Sequence, residues 1–187
     1  MSVDDAMRTA QDRMQKSIEA LRHELATIRT GRASPALLDR VMVDYFGAAT
    51  PVNALATISA PEPRLLTIQP WDRQALGAIE KAIQRSDLGL NPTNDGTVIR
   101  LVIPQLNDER RRELVRLVQR RLEEARVAVR NCRRDALESL RKEEREKTIS
   151  EDELKRGQDR LQKLTDQFVA QIDEIGKGKE REILEPA

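Results

Sequence analysis

Between Arg110 and Arg134 the chain places ten arginines and no lysine. A guanidinium group is a planar fork that grips carboxylate or phosphate at two points, where a lysine ammonium offers a point charge. Projected at about 100° per residue, Arg112, Arg116, Arg120, Arg126, Arg130, Arg133 and Arg134 fall within an arc of roughly 140°. The opposite arc carries Leu114, Val118, Leu122, Ala125, Val129, Cys132 and Ala136. One side of this helix wants a core, and the other offers its charges to a structured polyanion.

Local acids divide the stripe. Arg112 has Asp108 and Glu109 within four positions, Arg116 has Glu113, and Arg120 has Glu123 and Glu124. Those three are expected to be neutralised on their own helix. Arg130 and Arg133 have no acid three or four positions away, Arg126 has only Glu123, and Arg134 only Glu138. Like charges at i and i+4 cost a few tenths of a kcal/mol per pair, so acids of a packed neighbour or a phosphate backbone should offset the remainder. No aromatic residue interleaves with these arginines. Contacts to backbone and to RNA shape are therefore expected, rather than base stacking.

Catalytic chemistry finds little support. His23, the single histidine, lies between Arg22 and Glu24 on a charged helix and reads as a solvated residue. Cys132 falls in the apolar stripe and reads as a buried, inert thiol. No metal-ligand spacing occurs, and Gly176-Lys177-Gly178 is too short for a phosphate loop. Trp71 could be a stacking platform, but a core or domain-edge position is the expectation. Neither an enzyme, a cofactor nor a metal is called for.

The elements that carry these residues follow from composition. The 187 residues include 33 basic and 32 acidic ones, so any polyanion binding must come from local patterning. One cysteine excludes an internal disulfide and fits a reducing compartment. No apolar run has the length of a membrane span, and the acidic start lacks signal-peptide character. A cytoplasmic protein is expected.

Residues 1–30 and 105–187 hold 51 charged residues in 113 positions, whereas residues 31–104 hold 14 in 74 and seven of the eight prolines. The middle thus reads as a small domain inserted into a helical one. In the flanks, Met7, Met14, Leu21 and Ile28 recur every seven residues. A second stripe follows Asn107, and a third follows the capping box Ser150-Glu151-Asp152-Glu153. Three such stripes predict an elongated three-helix bundle. The middle predicts strands at 41–46, 57–59, 65–68 and 97–103 with a helix over 72–85, as a small mixed sheet. The fold class is therefore α+β in two domains. Thr30, Gly31, Ile103, Pro104 and Gln105 mark the two crossings and read as a hinge.

Several blocks resemble the ribosome recycling factor family. They are Ile28-Arg29-Thr30-Gly31-Arg32-Ala33-Ser34-Pro35, Ser86-Asp87-Leu88-Gly89-Leu90-Asn91-Pro92, Asn107-Asp108-Glu109-Arg110-Arg111, Ala125-Arg126-Val127-Ala128-Val129-Arg130-Asn131 and Lys163-Leu164-Thr165-Asp166. The resemblance implies an L-shaped molecule with a three-helix bundle and a hinged α/β domain. It further implies binding to the post-termination ribosome through large-subunit ribosomal RNA, and splitting into subunits with elongation factor G, which hydrolyses the GTP. Arg126, Arg130, Arg133, Arg134, Arg29 and Arg32 are the ribosomal RNA contacts it implies. No DNA or membrane partner is implied, and a monomer is expected. The competing reading is a structural adaptor whose arginines meet an acidic protein. A third, a small hydrolase, lacks a converging polar set.

Overall fold

A computed structural model describes residues 2–185. The chain forms two compact units, Met1–Leu25 with Val115–Arg181, and Ala26–Leu114 with Glu182–Ala187. The crossings into the second unit fall at Leu25/Ala26 and Leu114/Val115, inside the charged flanks rather than at residues 30 and 105.

The first unit is built on α1 (Val3–Ala26), α3 (Asp108–Arg145, from Val115 on) and α4 (Glu151–Leu184, to Arg181). Their starts are capped as the sequence predicts. Asp5 N donates to Ser2 Oγ at 3.1 Å while Ser2 N donates to Asp5 Oδ2 at 3.2 Å. Arg110 N donates to Asn107 Oδ1 at 2.7 Å. Glu153 N donates to Ser150 Oγ at 3.1 Å, so each start satisfies donors that would otherwise lack partners. The α3 end turns through Lys147, whose φ of 61° lets the following N–H, of Thr148, reach back to the Glu143 carbonyl at 2.9 Å.

The three helices pack mutually. Arg13 meets Asp135 at 3.0 Å and Arg160 meets Asp4 at 2.9 Å, with α1 antiparallel to α3 and parallel to α4. The bundle rests on its apolar stripes: Met14, Ile18, Leu21, Val118, Val129, Leu140, Leu161 and Ile172 are almost wholly buried. Each such side chain contributes about 1.5–3 kcal/mol, against a few tenths to about 1 kcal/mol for an exposed ion pair. Apolar packing, not charge, therefore decides which faces meet.

Two glycines set how closely α4 approaches α3. A Cβ on Gly157 would lie 2.7 Å from Leu140 Cδ1, and one on Gly176 would lie 2.2 Å from Leu122 Cδ1. Close approach is why Gly is found in mid-helix at both positions, despite a propensity cost of about 1 kcal/mol.

The second unit holds a hairpin of β1 (Met42–Tyr45) with β2 (Ala48–Pro51), then β3 (Ala56–Glu62), β4 (Leu65–Pro70), α2 (Leu76–Arg85), β5 (Thr93–Asn94) and β6 (Ile99–Val102). The main sheet has the order β3-β4-β6-β5 and every pairing is antiparallel. This corrects the expected mixed sheet; β5 is only two residues long, and Ala48-Ala49-Thr50-Pro51 of β2 carries no apolar alternation to mark it as a strand. In register, Ile58, Ile68 and Ile99 line one face. With Leu66 and Leu101 they pack against Ile79 and Ile83 of α2 and Val43 of β1. The other face, including Thr57, Ser59 and Arg100, is open to solvent. Among the described residues no helix is long and apolar enough to cross a membrane.

The packing predicts opposite signs for two substitutions on one helix. Gly176→Ala drives a methyl into Leu122 and should lower stability by about 1–2 kcal/mol despite better helix propensity. Gly178→Ala, with nothing within 4 Å of its Cβ position, should gain about 0.5–1 kcal/mol. Urea denaturation of both variants checks the pair.

Candidate nucleic-acid interface

Helix α3 is 38 residues long, about 57 Å at 1.5 Å per residue. Leu114, Val118, Leu122, Ala125, Val129, Cys132, Ala136 and Leu140 are each at most 8% exposed. The stripe read from the sequence is thus the buried one, and the arginine arc faces outward. Burial pushes the Cys132 thiol up from its usual range, consistent with an inert core cysteine.

The distribution of ion pairs differs from the sequence expectation. Asp108 pairs with Arg111 at 3.2 Å, Glu113 with Arg110 at 2.9 Å and Glu124 with Arg121 at 3.2 Å. Glu123 pairs with Arg126 at 3.2 Å and reaches Arg130 at 3.7 Å. The acids expected to neutralise Arg112, Arg116 and Arg120 are therefore largely engaged by arginines beside the arc. Among the described residues, Arg112, Arg116, Arg120, Arg133 and Arg134 make no ion pair or side-chain hydrogen bond. The physical reason is competition: Asp108, Glu113 and Glu124 each lie one helical turn from two arginines and serve the one beside the arc, while Glu123 serves Arg126 within it.

Arg126 moves the other way. Its Nη2 and Nε donate to Asp173 Oδ1 of α4 at 2.7 and 3.1 Å, and its side chain is only 21% exposed. The hydrogen bond to Asp173 is the main reason its pKa is raised. This is the acid from a packed neighbour that the sequence argument allowed for, and it makes Arg126 a strut between helices. Arg130 is half exposed at 49%, Arg134 is exposed and Arg133 half-buried.

The face also extends further than the sequence argument carried it. Arg141 and Arg145 project onto the same arc, are exposed, and make no ion pair among the described residues. From Arg116 to Arg145 the row spans about 44 Å. Val127, 46% exposed, sits near the centre of the arc. The seven-residue step from Arg134 to Arg141 was the signal that could have found this extension.

Arg29 and Arg32 lie in the second unit and are half-buried. Arg29 Nη1 donates to the Leu88 carbonyl at 2.7 Å, joining two of the blocks that carry the family resemblance. Of the hinge candidates, Ile103 is fully buried in the core of this unit and its N–H donates to the Arg64 carbonyl at 2.8 Å. Gly31 is buried with φ 78° against Leu106, in a conformation that favours glycine. Thr30, Pro104 and Gln105 likewise fall within this unit.

His23 is exposed, and among the described residues no group of three or more His, Cys, Asp or Glu could hold a metal ion. The cavity beside Cys132, lined by Ala10, Arg13 and Asp135, has a volume of about 70 Å³, enough for a few waters. Trp71 is not a core residue, being 66% exposed with its Nε1 donating to Thr57 Oγ1 at 2.8 Å.

A helical unit that turns a guanidinium row to solvent and a unit built on an antiparallel sheet together define a two-part α+β protein. Residues 21–184 match the family model for ribosome recycling factor, and the chain belongs to that family. It is 63% identical to the ribosome-recycling factor of Carboxydothermus hydrogenoformans, over 97% of this chain and 98% of that one. It is 57% identical to that of Syntrophomonas wolfei, over 98% and 99%. A solution structure of ribosome recycling factor matches with a TM-score of 0.79 at 47% identity, over 98% of both chains. A second structure matches with a TM-score of 0.70 at 51% identity, over 99% of this chain and 100% of that one. It describes T. thermophilus ribosome recycling factor and E. coli elongation factor G bound to the E. coli post-termination complex.

Two arginines of the helix should separate by stability. Arg126→Ala removes the Asp173 contact and should cost about 1 kcal/mol after allowing for the half-exposed carboxylate. Arg134→Ala should change stability by less than about 0.5 kcal/mol. Denaturant midpoints at fixed salt measure both.

Proposed function

We propose that this protein binds the post-termination ribosome through large-subunit ribosomal RNA. With elongation factor G, and GTP hydrolysis by that partner, it splits the ribosome into subunits for a new round of translation. It works without catalysing a reaction itself, in the cytoplasm. The observation that carries this reading is the row of guanidinium groups on α3 with no acid to satisfy them, in a chain of this family. In the first unit the free row on α3 is Arg116, Arg120, Arg133 and Arg134, and Arg130 lies among them on a longer ion pair to Glu123 at 3.7 Å. Arg126 contributes mainly by keeping α3 fixed against α4. Arg29 and Arg32 are proposed as further RNA contacts in the second unit.

Binding of this kind locates the protein and supplies the grip; the splitting step needs a moving part. The proposed movement is of the small unit, taken up at the crossings near Leu25 and Leu114 and in the Thr30–Gly31 and Pro104–Gln105 segments. Ile103 serves better as the anchor of β6 in the core than as a pivot. Gly31 tolerates no proline, because its φ of 78° lies far from the ring-fixed value near −65°.

The test is affinity for purified large subunits as a function of salt. Counterion release predicts a linear fall of log affinity with log salt. Arg130→Ala and Arg134→Ala should each weaken binding by about 1–2 kcal/mol, the scale of a charge-assisted contact. Each should also make the salt slope shallower. Wild-type affinity in both variants at moderate salt would contradict the assignment.

A further inference from the structure

Tyr45 and Phe46 lie side by side at the tip of the β1–β2 hairpin of the second unit; Tyr45 packs against the edge of its core, and Phe46 does not. Tyr45 and Phe46 pack edge to face with ring centroids 4.6 Å apart. The Tyr45 hydroxyl donates to Asp72 Oδ2 at 3.3 Å, which ties the hairpin tip to the Trp71–Asp72 segment. Phe46 is 82% exposed and Trp71 66%.

The position of Phe46 is unfavourable twice over. It closes the β1–β2 hairpin with Gly47, between the paired residues Tyr45 and Ala48. Phe46 and Gly47 have φ of 51° and 80°. A two-residue turn with both residues at positive φ favours Asn or Asp followed by Gly, and a bulky aromatic is strained there. Its ring also leaves most of its apolar surface in water. Neither cost is recovered within the second unit, where an asparagine would close the hairpin better. Strain and exposure at one side chain point to a partner.

The charges around the tip say which kind. Asp44 Oδ1 accepts from the Gly47 N–H at 3.1 Å, and Asp72 is held by Tyr45. Two carboxylates therefore flank the exposed ring. They would repel an RNA backbone and attract a cationic surface.

We propose that Phe46, supported by Tyr45 and flanked by Asp44 and Asp72, is an anchor that inserts into an apolar pocket on a basic protein surface of the assembly that this protein splits. This rests on the ribosomal reading given above, but uses a different unit and opposite chemistry from the arginine face. A buried aromatic at the centre of a charged rim is the usual form of an interface hot spot.

The experiment uses the full-length protein with purified post-termination ribosomes and elongation factor G. Phe46→Asn should raise the thermal midpoint by about 1–3 °C, as strain is relieved, while the splitting rate falls at least fivefold. The salt slope of large-subunit binding, set by α3, should stay at its wild-type value. The Asp44→Asn, Asp72→Asn double variant should also split more slowly and show weaker salt dependence of splitting. A photoreactive p-benzoylphenylalanine installed at position 46 should crosslink to a protein at a site rich in lysine or arginine. A crosslink to RNA, or none, would overturn the proposal, as would full activity in Phe46→Asn or a drop in its midpoint. Failure of the ribosomal reading shows separately, as unaltered large-subunit binding in Arg134→Ala.

Discussion

The apolar stripe of α3 is the constraint on which the first unit depends. Val118, Leu122, Ala125, Val129, Cys132, Ala136 and Leu140 enter the core at spacings of three and four, so the opposite arc is turned away from it. The glycines at 157 and 176 let α4 close onto that stripe, leaving no space for even one more methyl group. Once the stripe is buried, the arginine row has no freedom to turn inward. Its position is a by-product of packing energies several times larger than any ion pair it makes.

Within that frame, competition for acids sorts the arginines into two kinds. Arg110, Arg111, Arg121 and Arg126 hold the nearby carboxylates, and Arg126 also bridges to Asp173. Arg112, Arg116, Arg120, Arg133 and Arg134 are left over, and Arg130 nearly so. A helix of this kind is stable because its struts are satisfied and available because its row is not. The two roles could not be filled by the same side chains. The second unit complements it, with an antiparallel sheet that buries one face and a hairpin that holds an aromatic pair outside the core.

Much of this was legible in the sequence. The capping box at Ser150–Glu153 and the buried stripe of α3 follow from local rules. Each rule involves residues within four positions of one another. The pairing of the acids was not legible, because Glu113 and Glu123 each have two suitable arginines one turn away and local spacing cannot choose between them. Asp173 is 47 residues from Arg126, and its part depends on how α4 packs. Strands β2 and β5 owe their conformation to their pairing partners rather than to their own residues. The exposure of Trp71 was not legible for the opposite reason: large aromatics are usually buried, and exposure of this one has no local signal.

The central claim is that the row left without acids, rather than total charge, sets affinity for ribosomal RNA. Two fourfold variants of equal charge test it directly. One replaces Arg116, Arg120, Arg130 and Arg134 by alanine, the other Arg110, Arg111, Arg121 and Arg126. Salt slopes of large-subunit binding are then compared at a temperature where both are folded. The account predicts that the first set flattens the slope by close to four phosphate contacts while the second barely alters it. Equal losses from both sets would contradict it.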